Sequence, residues 1–278
     1  LEAMILIAFA VWLIRNVKLL SGHCRNLLLG KGVSRENRYP FRWAISAWLL
    51  VSFISVGVAG WSMGALGIWR AYFFEPLLLF ILIVNTFSTK EKINRLIAAL
   101  GMSAAAISLF ALYQYATGDF IPNAFWAGTE GRRATSFFSY PNAVGLYAAP
   151  IMLLLLGVLY EAWERRKKFF NGEVLGWLAG VLLCLAAIVA AKSEGAAFAA
   201  AAGLVIFGLI ANRIVRRITL AVLAVAAIAL IFNLTLRTYA EKRLTLQNFS
   251  GQVRRAQWKE TIIMLKDGRL LKGAGLDS

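Results

Sequence analysis

The sequence contains few charged residues, two cysteines and a single histidine. Charged side chains make up 16% of the 278 residues and hydrophobic ones 60%, whereas a soluble domain has about 25% charged and 45–50% apolar residues. This imbalance argues against a soluble globular domain and against intrinsic disorder. Cys24 and Cys184 lie in different predicted settings and indicate no disulfide framework. The sequence has no Walker loop, dinucleotide-binding fingerprint, metal-ligand cluster or detectable internal repeat.

Long apolar runs alternate with charged segments along the whole chain. They predict an all-α, polytopic transmembrane bundle of about eight helices, since each membrane span needs about 20 mostly apolar residues. The predicted windows are roughly 1–14, 44–60, 69–87, 96–117, 142–160, 174–191, 196–211 and 218–235. The Gly60–Gly67 region is nearly as apolar as its neighbours, so the count could differ by one. We interpret 1–278 as a single membrane domain from a longer protein, with helices to 235 and a large periplasmic loop beginning at 236.

The net charge of +16 is distributed unevenly between the predicted loops. Lysines and arginines concentrate in 15–42, 90–95, 165–168 and 213–217, whereas the intervening short loops contain only Arg70, Arg132, Arg133 and Lys192. The positive-inside rule places the first set in the cytoplasm. The N-terminal residue and the tail after the eighth helix then lie outside. Because membrane orientation explains most of the positive charge, nucleic-acid binding is disfavoured.

The external connection from Gly118 to Pro141 is long for a helix–helix loop, at about 24 residues. Pro141 and Asn142 predict the start of the next helix, because proline is tolerated at the first helical position. The free backbone N–H groups of a helix start attract anions, and Arg133 lies a few residues upstream. The alternative is that Arg133 only anchors the helix at the membrane interface.

The tail after the eighth predicted helix contains a short amphipathic helix from Gln252 to Lys266. Arg254 and Trp258 share one face, which Ile262 and Leu265 continue. Arg255 and Lys259 lie four residues apart on the adjacent face. Two interpretations remain open: the helix lies on the membrane with Trp258 in the interface, or Arg254 binds a phosphate with its planar fork.

Three further features have weaker signals. Glu75 precedes Pro76 inside the third predicted helix, and an intramembrane acid is a functional-site hypothesis by default. The alternative is that Pro76 kinks the helix and Glu75 pairs with Arg70 or an internal polar group. The segment from Lys192 to Gly195 predicts a tight external turn, and His23 falls in the first cytoplasmic loop.

Taken in order, these motifs resemble the O-antigen ligase and O-antigen polymerase superfamily. The segment from Arg133 to Gly145 is similar to its R-x-S-x-F-x-x-P-N-x-x-G segment. Arg254 to Trp258, followed by Gly273-Ala274-Gly275, looks like its R-x-x-x-W and G-x-G stretch. The turn at Ser193 resembles its S-R-G-A turn, with Glu194 where arginine is common. The resemblance extends from about Arg70 to Ser278.

The resemblance implies a multi-pass glycosyltransferase of the bacterial inner membrane that requires no cofactor or metal. Such enzymes move a glycan from a polyprenyl (undecaprenyl) pyrophosphate carrier to an acceptor at the periplasmic face: lipid A-core, a growing polysaccharide or a protein. By similarity, Arg133 and Arg254 bind the pyrophosphate, with Arg132 and Arg255 as adjacent alternatives. Asn142 caps the helix start or touches substrate, and Trp258 supports the site.

The same resemblance implies a histidine general base late in the external loop. We expect that residue beyond Ser278, and therefore expect the chain to be inactive by itself. One alternative function is a transporter or permease, for example of bicarbonate, as for related members of the superfamily, and another is a scaffold subunit. A transporter needs polar residues deep in several helices, whereas here polar groups cluster at the external edge.

Overall fold

The computed structural model describes residues 2–28, 41–166, 171–247 and 249–276. Every regular element in these ranges is helical, as the all-α prediction requires. The chain divides into two compact units. The first comprises Leu1–Ser88 and Arg237–Ser278, and the second comprises Thr89–Leu236.

The described residues form twelve α-helices and two π-helical segments. The α-helices are α1 (Glu2–Leu28), α2 (Arg42–Val58), α3 (Met63–Trp69), α4 (Glu75–Thr86), α5 (Lys90–Thr117), α6 (Ala124–Ala127), α7 (Pro141–Arg166), α8 (Gly172–Ala190), α9 (Glu194–Ile210), α10 (Arg213–Phe232), α11 (Leu234–Leu244) and α12 (Phe249–Met264). The π-helical segments are Arg70–Phe74, between α3 and α4, and Leu265–Arg269, after α12.

Each predicted window overlaps one of these helices, but fewer than eight meet the requirements of a membrane span. Among the described residues, five segments are long and apolar enough to cross a membrane: Met63–Thr86, Lys90–Thr117, Pro141–Arg166, Gly172–Ala190 and Arg213–Phe232. The apolar helices Trp43–Val58 and Glu194–Ile210 are shorter. The described residues therefore support a helical membrane protein, and the larger count of about eight spans stays a prediction.

Two predicted boundaries are wrong. The first helix does not end near residue 14, because α1 continues to Leu28 and contains Arg15. Likewise Arg165 and Arg166 occupy the last turn of α7 instead of a loop. A hydropathy window ends at the first charged residues, whereas the backbone hydrogen bonds of a helix continue past them. Several loop residues used for orientation, Lys31, Arg35, Arg38, Lys167 and Lys168, lie outside the described residues, as do the side chains of His23 and Cys24.

The ambiguous apolar region between α2 and α4 contains both a turn and a helix start. The chain turns after Val58 through Gly60, whose φ is 73°. The hydroxyl of Ser62 then accepts a hydrogen bond from Ala65 N at 3.0 Å and caps the start of α3. The helix therefore begins earlier than the predicted window at 69, because a local cap overrides the hydropathy pattern.

Small side chains allow the helices of the second unit to approach closely. α7 packs against α5, α8 and α9, and α10 packs against α9. The main core cluster is rich in alanine, including Ala104, Ala148 and Ala200. A Cβ on Gly145 of α7 would lie only 2.5 Å from the Cβ of Ala196 in α9. Such contacts between small residues are typical of helix packing in membranes.

Ion pairs and polar contacts join the helix ends at one end of the second unit, which we call the charged end. Lys90 at the start of α5 pairs with Glu161 near the end of α7. Arg165 pairs with Glu173 at 2.5 Å across the α7–α8 connection. The amide of Asn212 donates to Glu164 at 3.2 Å, which brings the α9–α10 connection to the same end. The three connections that the charge pattern assigns to one side thus meet at one end.

Glu75 is a buried carboxylate in the first unit and is 5% exposed. Its Oε1 lies 3.3 Å from Nε of Arg70, whose Nη2 is 2.7 Å from Oε2 of Glu2. The ion pair with Arg70 lacks hydrogen-bond geometry, so Oε1 has no hydrogen-bond donor among the described residues. Pro76 does not break the helix, because it is the second residue of α4 and follows the π-helical segment Arg70–Phe74. The turn of the π-helical segment is wider than an α-helical turn and accommodates Pro76, which cannot donate a backbone hydrogen bond.

Candidate functional site

The long loop between α5 and α7 docks against the turn that joins α8 to α9. Ala134 N donates to Ala190 O at 3.0 Å, and Ala134 is fully buried. Within the loop, Arg133 N donates to Trp126 O at 2.9 Å. Ala134 packs in a cluster with Ala187 and Val144, so the loop is part of the core at this end. We call this end of the second unit, opposite the charged end, the loop end.

The guanidinium of Arg133 joins three segments of the loop end. Its Nε donates to Ala191 O at 3.0 Å, and its Nη2 donates to Lys192 O at 3.2 Å. The same Nη2 donates to Oδ1 of Asn142, in the first turn of α7, at 2.8 Å. Nη1 has no acceptor among the described residues. The structure thus brings Arg133 to the start of α7, the position at which the sequence predicts an anion site.

The surroundings of Arg133 explain both its position and its electrostatics. The carbonyls at the C-terminal end of α8 carry the partial negative charge of the helix dipole, which favours a nearby cation. Arg133 is half-buried, and this burial lowers the pKa of its guanidinium by removing water from the charged form. The side chain stays protonated at neutral pH, because an arginine pKa normally lies far above 7. A partly dehydrated guanidinium with one free nitrogen favours an anionic ligand.

Arg132 has a different set of partners, at the end of α5. Its Nη1 donates to Tyr115 O and Ala116 O, each at 3.0 Å, and its Nε donates to Ala127 O at 3.3 Å. Gly118 leaves room for this guanidinium, since a Cβ there would lie 2.7 Å from Nη2 of Arg132. Arg132 therefore satisfies the last carbonyls of α5. Its predicted role as an alternative pyrophosphate ligand would compete with this capping role.

Gln114 holds the backbone that carries Arg133, and the sequence analysis missed it. It is a fully buried residue of α5. Its Oε1 accepts hydrogen bonds from Thr135 N at 3.0 Å and Ser136 N at 2.6 Å. Its Nε2 donates to Phe120 O at 2.8 Å and Ser136 O at 3.2 Å. The sequence feature that could have identified Gln114 is a glutamine near the end of an apolar run, because a buried side-chain amide needs hydrogen-bond partners.

Exposed cations and aromatic rings surround the loop end. Lys192 lies with Nζ 5.9 Å from the centroid of the Tyr115 ring. Phe120 and Phe137 are 73% and 70% exposed, and Phe137 stacks on Phe110 at 4.6 Å between ring centroids. Aromatic side chains of this kind are typical of the interface between membrane and water. Glu194 begins α9 beside Lys192 and adds a negative charge to the turn.

The arginines of the tail lie on α12, in the first unit. Arg254, Arg255 and Trp258 are all exposed. Arg255 donates through Nη2 to Thr245 O, whereas Arg254 has no hydrogen bond or ion pair with the described residues. The predicted helix is present, since α12 covers Phe249–Met264. Within the described part of its unit, α12 packs closely only against the π-helical segment Leu265–Arg269.

The glycines of the tail motif adopt backbone conformations that favour glycine. Gly273 and Gly275 have φ values of 67° and 93°. A Cβ on Gly275 would lie 2.7 Å from Ala59 N, and Leu276 N donates to Ser55 O at 3.3 Å. The tail therefore returns to the C-terminal end of α2. The charge pattern predicts the same side of the membrane for that end and for the tail.

The structure brings together only part of the predicted site. Arg132, Arg133 and Asn142 belong to the second unit, and Arg254, Arg255 and Trp258 to the first. The meeting of Arg133 with Arg254 therefore stays a prediction. No group of three or more His, Cys, Asp or Glu in the described ranges could hold a metal ion.

Fold and composition together define the class of the protein: its described residues are all-helical and include five helices long and apolar enough to cross a membrane. Arg133 and Lys192 place positive charge at one end of its second unit. No family model matches the chain, and neither a curated protein nor a solved structure shows significant similarity to it. The assignment to a particular family is therefore a proposal based on its motifs.

Proposed function

We propose that the protein is a membrane glycosyltransferase of the O-antigen ligase and polymerase type. In this proposal it moves a glycan from a polyprenyl pyrophosphate carrier to an acceptor at the periplasmic face of the bacterial inner membrane. The acceptor is lipid A-core, a growing polysaccharide or a protein. The order of the motifs, from Arg133 through Asn142 to Arg254 and Gly275, supports this assignment.

The arrangement of Arg133 is the observation that carries the proposal. Two carbonyls and Asn142 hold its guanidinium at the loop end. Nη1 lacks an acceptor among the described residues and is free to bind an added oxygen anion. Because the fork is held in place before a ligand arrives, little conformational entropy is lost on binding. Arginine suits a diphosphate better than lysine, since it offers several donors in a fixed plane.

The proposed reaction places negative charge where this guanidinium can stabilise it. The acceptor oxygen forms a bond to the anomeric carbon of the glycan, and the bond from that carbon to the pyrophosphate oxygen breaks. The electron pair goes to the leaving lipid pyrophosphate, whose charge Arg133 offsets. The acceptor proton goes to a general base. A preorganised donor at such a developing charge contributes about 2.7–4 kcal/mol to lowering the barrier.

The transporter alternative has less support from the described residues. A transport pathway requires polar groups facing one another at depth in several helices. Among the described residues, the buried side chains within the helices of the second unit are apolar apart from Cys184, Ser108 and Gln114. Gln114, a buried polar residue of that unit, is engaged by the loop and lies near the end of α5. Glu75 in the first unit is paired with Arg70.

The test is substitution of Arg133 in the full-length protein. We expect both Arg133→Ala and Arg133→Lys to reduce glycan transfer about 100-fold or more, with accumulation of the lipid-linked donor and normal amounts in the membrane. Arg95→Ala is the matched control, because Arg95 is an exposed arginine of the same unit that pairs with Glu91. Backbone amide exchange of Thr135 and Ser136 reports whether the loop is intact. Normal glycan transfer in Arg133→Lys would contradict the proposal.

A further inference from the structure

Helix α12 exposes large apolar side chains, two of them on one face; Ile263 and Val253, on other sides of the helix, are 59% and 41% exposed. Trp258 is 57% exposed and Ile262 is 53% exposed. Within the described part of its unit, α12 packs closely only against the π-helical segment that follows it, Leu265–Arg269. Grouped apolar side chains of this size on a surface indicate an interaction site.

The charges of α12 are arranged around this apolar face. At 100° per residue, Trp258 and Ile262 form one strip along α12, and Leu265, the first residue of the π-helical segment, continues it. Four basic residues border the strip: Arg254 on one side, and Arg255, Lys259 and, in the π-helical segment, Lys266 on the other. The one acidic residue of α12, Glu260, lies on the opposite side. Long basic side chains beside an apolar strip can keep their charges at headgroup height while the strip enters the membrane.

The chain that follows α12 returns to an apolar helix of the same unit. Leu276 N donates to Ser55 O at 3.3 Å, so the chain reaches the end of α2 about 12 residues after α12. The apolar part of α2 is Trp43–Val58. The helix with the exposed strip is therefore tied to an apolar helix of its own unit.

We propose that α12 is a surface helix that binds the anionic headgroup layer of the bilayer into which the apolar helices of this chain insert. Trp258, Ile262 and Leu265 enter the interface, and the bordering basic residues bind lipid phosphates. The charge of the borders selects an anionic lipid surface over a neutral one. This inference does not depend on the proposed glycosyltransferase activity.

The experiment measures the depth of single labels in the full chain. Cys24→Ala and Cys184→Ala remove the natural thiols; the latter is a small change, because Cys184 packs among alanines. A nitroxide is attached at Ile262→Cys or, as the matched control, at Glu260→Cys. The protein is reconstituted in nanodiscs of phosphatidylcholine with or without phosphatidylglycerol. Collision rates with oxygen, which enters the bilayer, and with a water-soluble nickel chelate report the depth.

In anionic nanodiscs we expect the ratio of oxygen to nickel collisions to be about threefold or more higher at 262 than at 260. Replacing Arg255, Lys259 and Lys266 with glutamine should abolish this difference, since each basic residue contributes roughly a factor of five to binding an anionic surface. Leu265→Cys gives a second reading of the strip if the label at 262 prevents folding.

Three results would overturn the inference. Equal collision ratios at 262 and 260 would mean that the strip faces water. Full protection of the label at residue 262 from the nickel chelate in nanodiscs of pure phosphatidylcholine would exclude a role for anionic headgroups. Spin–spin broadening between labels on separate copies would identify a second copy of the chain as the occupant of the strip.

Discussion

Replacing Gln114 with leucine is expected to release the loop segment that carries Arg133 while leaving the helical bundle folded. Leucine has nearly the same size as glutamine and suits the apolar surroundings in α5. It cannot accept the hydrogen bonds from Thr135 N and Ser136 N, which are 3.0 and 2.6 Å long. Because Thr135 and Ser136 are 0% and 4% exposed, water cannot replace the lost acceptor without local opening.

The free-energy cost to the closed loop follows from the two N–H donors, Thr135 N and Ser136 N. Leaving a buried N–H group without an acceptor costs about 1–3 kcal/mol, so the closed loop loses roughly 2–6 kcal/mol. The lost donations from Gln114 Nε2 to Ser136 O and Phe120 O add to this cost, so the two N–H groups set its lower bound. Since 1.4 kcal/mol corresponds to a factor of ten, the open population of the loop rises about 30-fold or more. The free energy of unfolding of the bundle changes less, because the loop opens first.

Hydrogen–deuterium exchange of the protein in nanodiscs measures this opening directly. Peptides that contain Thr135 and Ser136 should exchange about 30-fold or more faster in Gln114→Leu. Thr117→Ala is the matched control on the same helix. The exposed Thr117 hydroxyl donates to Tyr113 O at 3.0 Å and accepts from Asp119 N at 3.1 Å, and water can replace both bonds. Wild-type exchange at 135 and 136 in Gln114→Leu would refute the reasoning, as would equal acceleration in both variants.

Two further predictions concern packing and topology. Gly145→Ala should lower the free energy of unfolding by about 1–3 kcal/mol, because the new Cβ would lie 2.5 Å from the Cβ of Ala196. Gly157→Ala on the same helix is the control, since a Cβ at that position would meet no atom within 4 Å. Thermal unfolding should show that only Gly145→Ala destabilises the protein. Reporter fusions at Arg165 and at Lys242 should lie on opposite sides of the membrane, because the basic residues beside Arg165 follow the positive-inside pattern. Reporters on a shared side would contradict the predicted topology.

The sequence predicted those features that depend on neighbouring residues. The start of α7 at Pro141 agrees with the preference of proline for the first helical turn. The predicted tail segment is helical, as α12, because its starting residues and spacing are local, whereas its amphipathic role outside the membrane stays a prediction. The pairing of Glu75 with Arg70 was one of two alternatives, and it links residues one turn apart. The extent of α1 was wrong, because hydropathy measures apolar length and not the end of a helix.

The partners of the two adjacent arginines could not be predicted from the sequence. Arg133 binds Ala191 O, 58 residues away, whereas Arg132 binds Tyr115 O, 17 residues away in the other direction. Gln114 likewise contacts Ser136 across 22 residues. Periodicity and composition determine which segments become apolar helices, because those properties act within a few turns. Which carbonyls a guanidinium meets depends on how distant helix ends pack together, and only the folded chain brings those ends within hydrogen-bond distance.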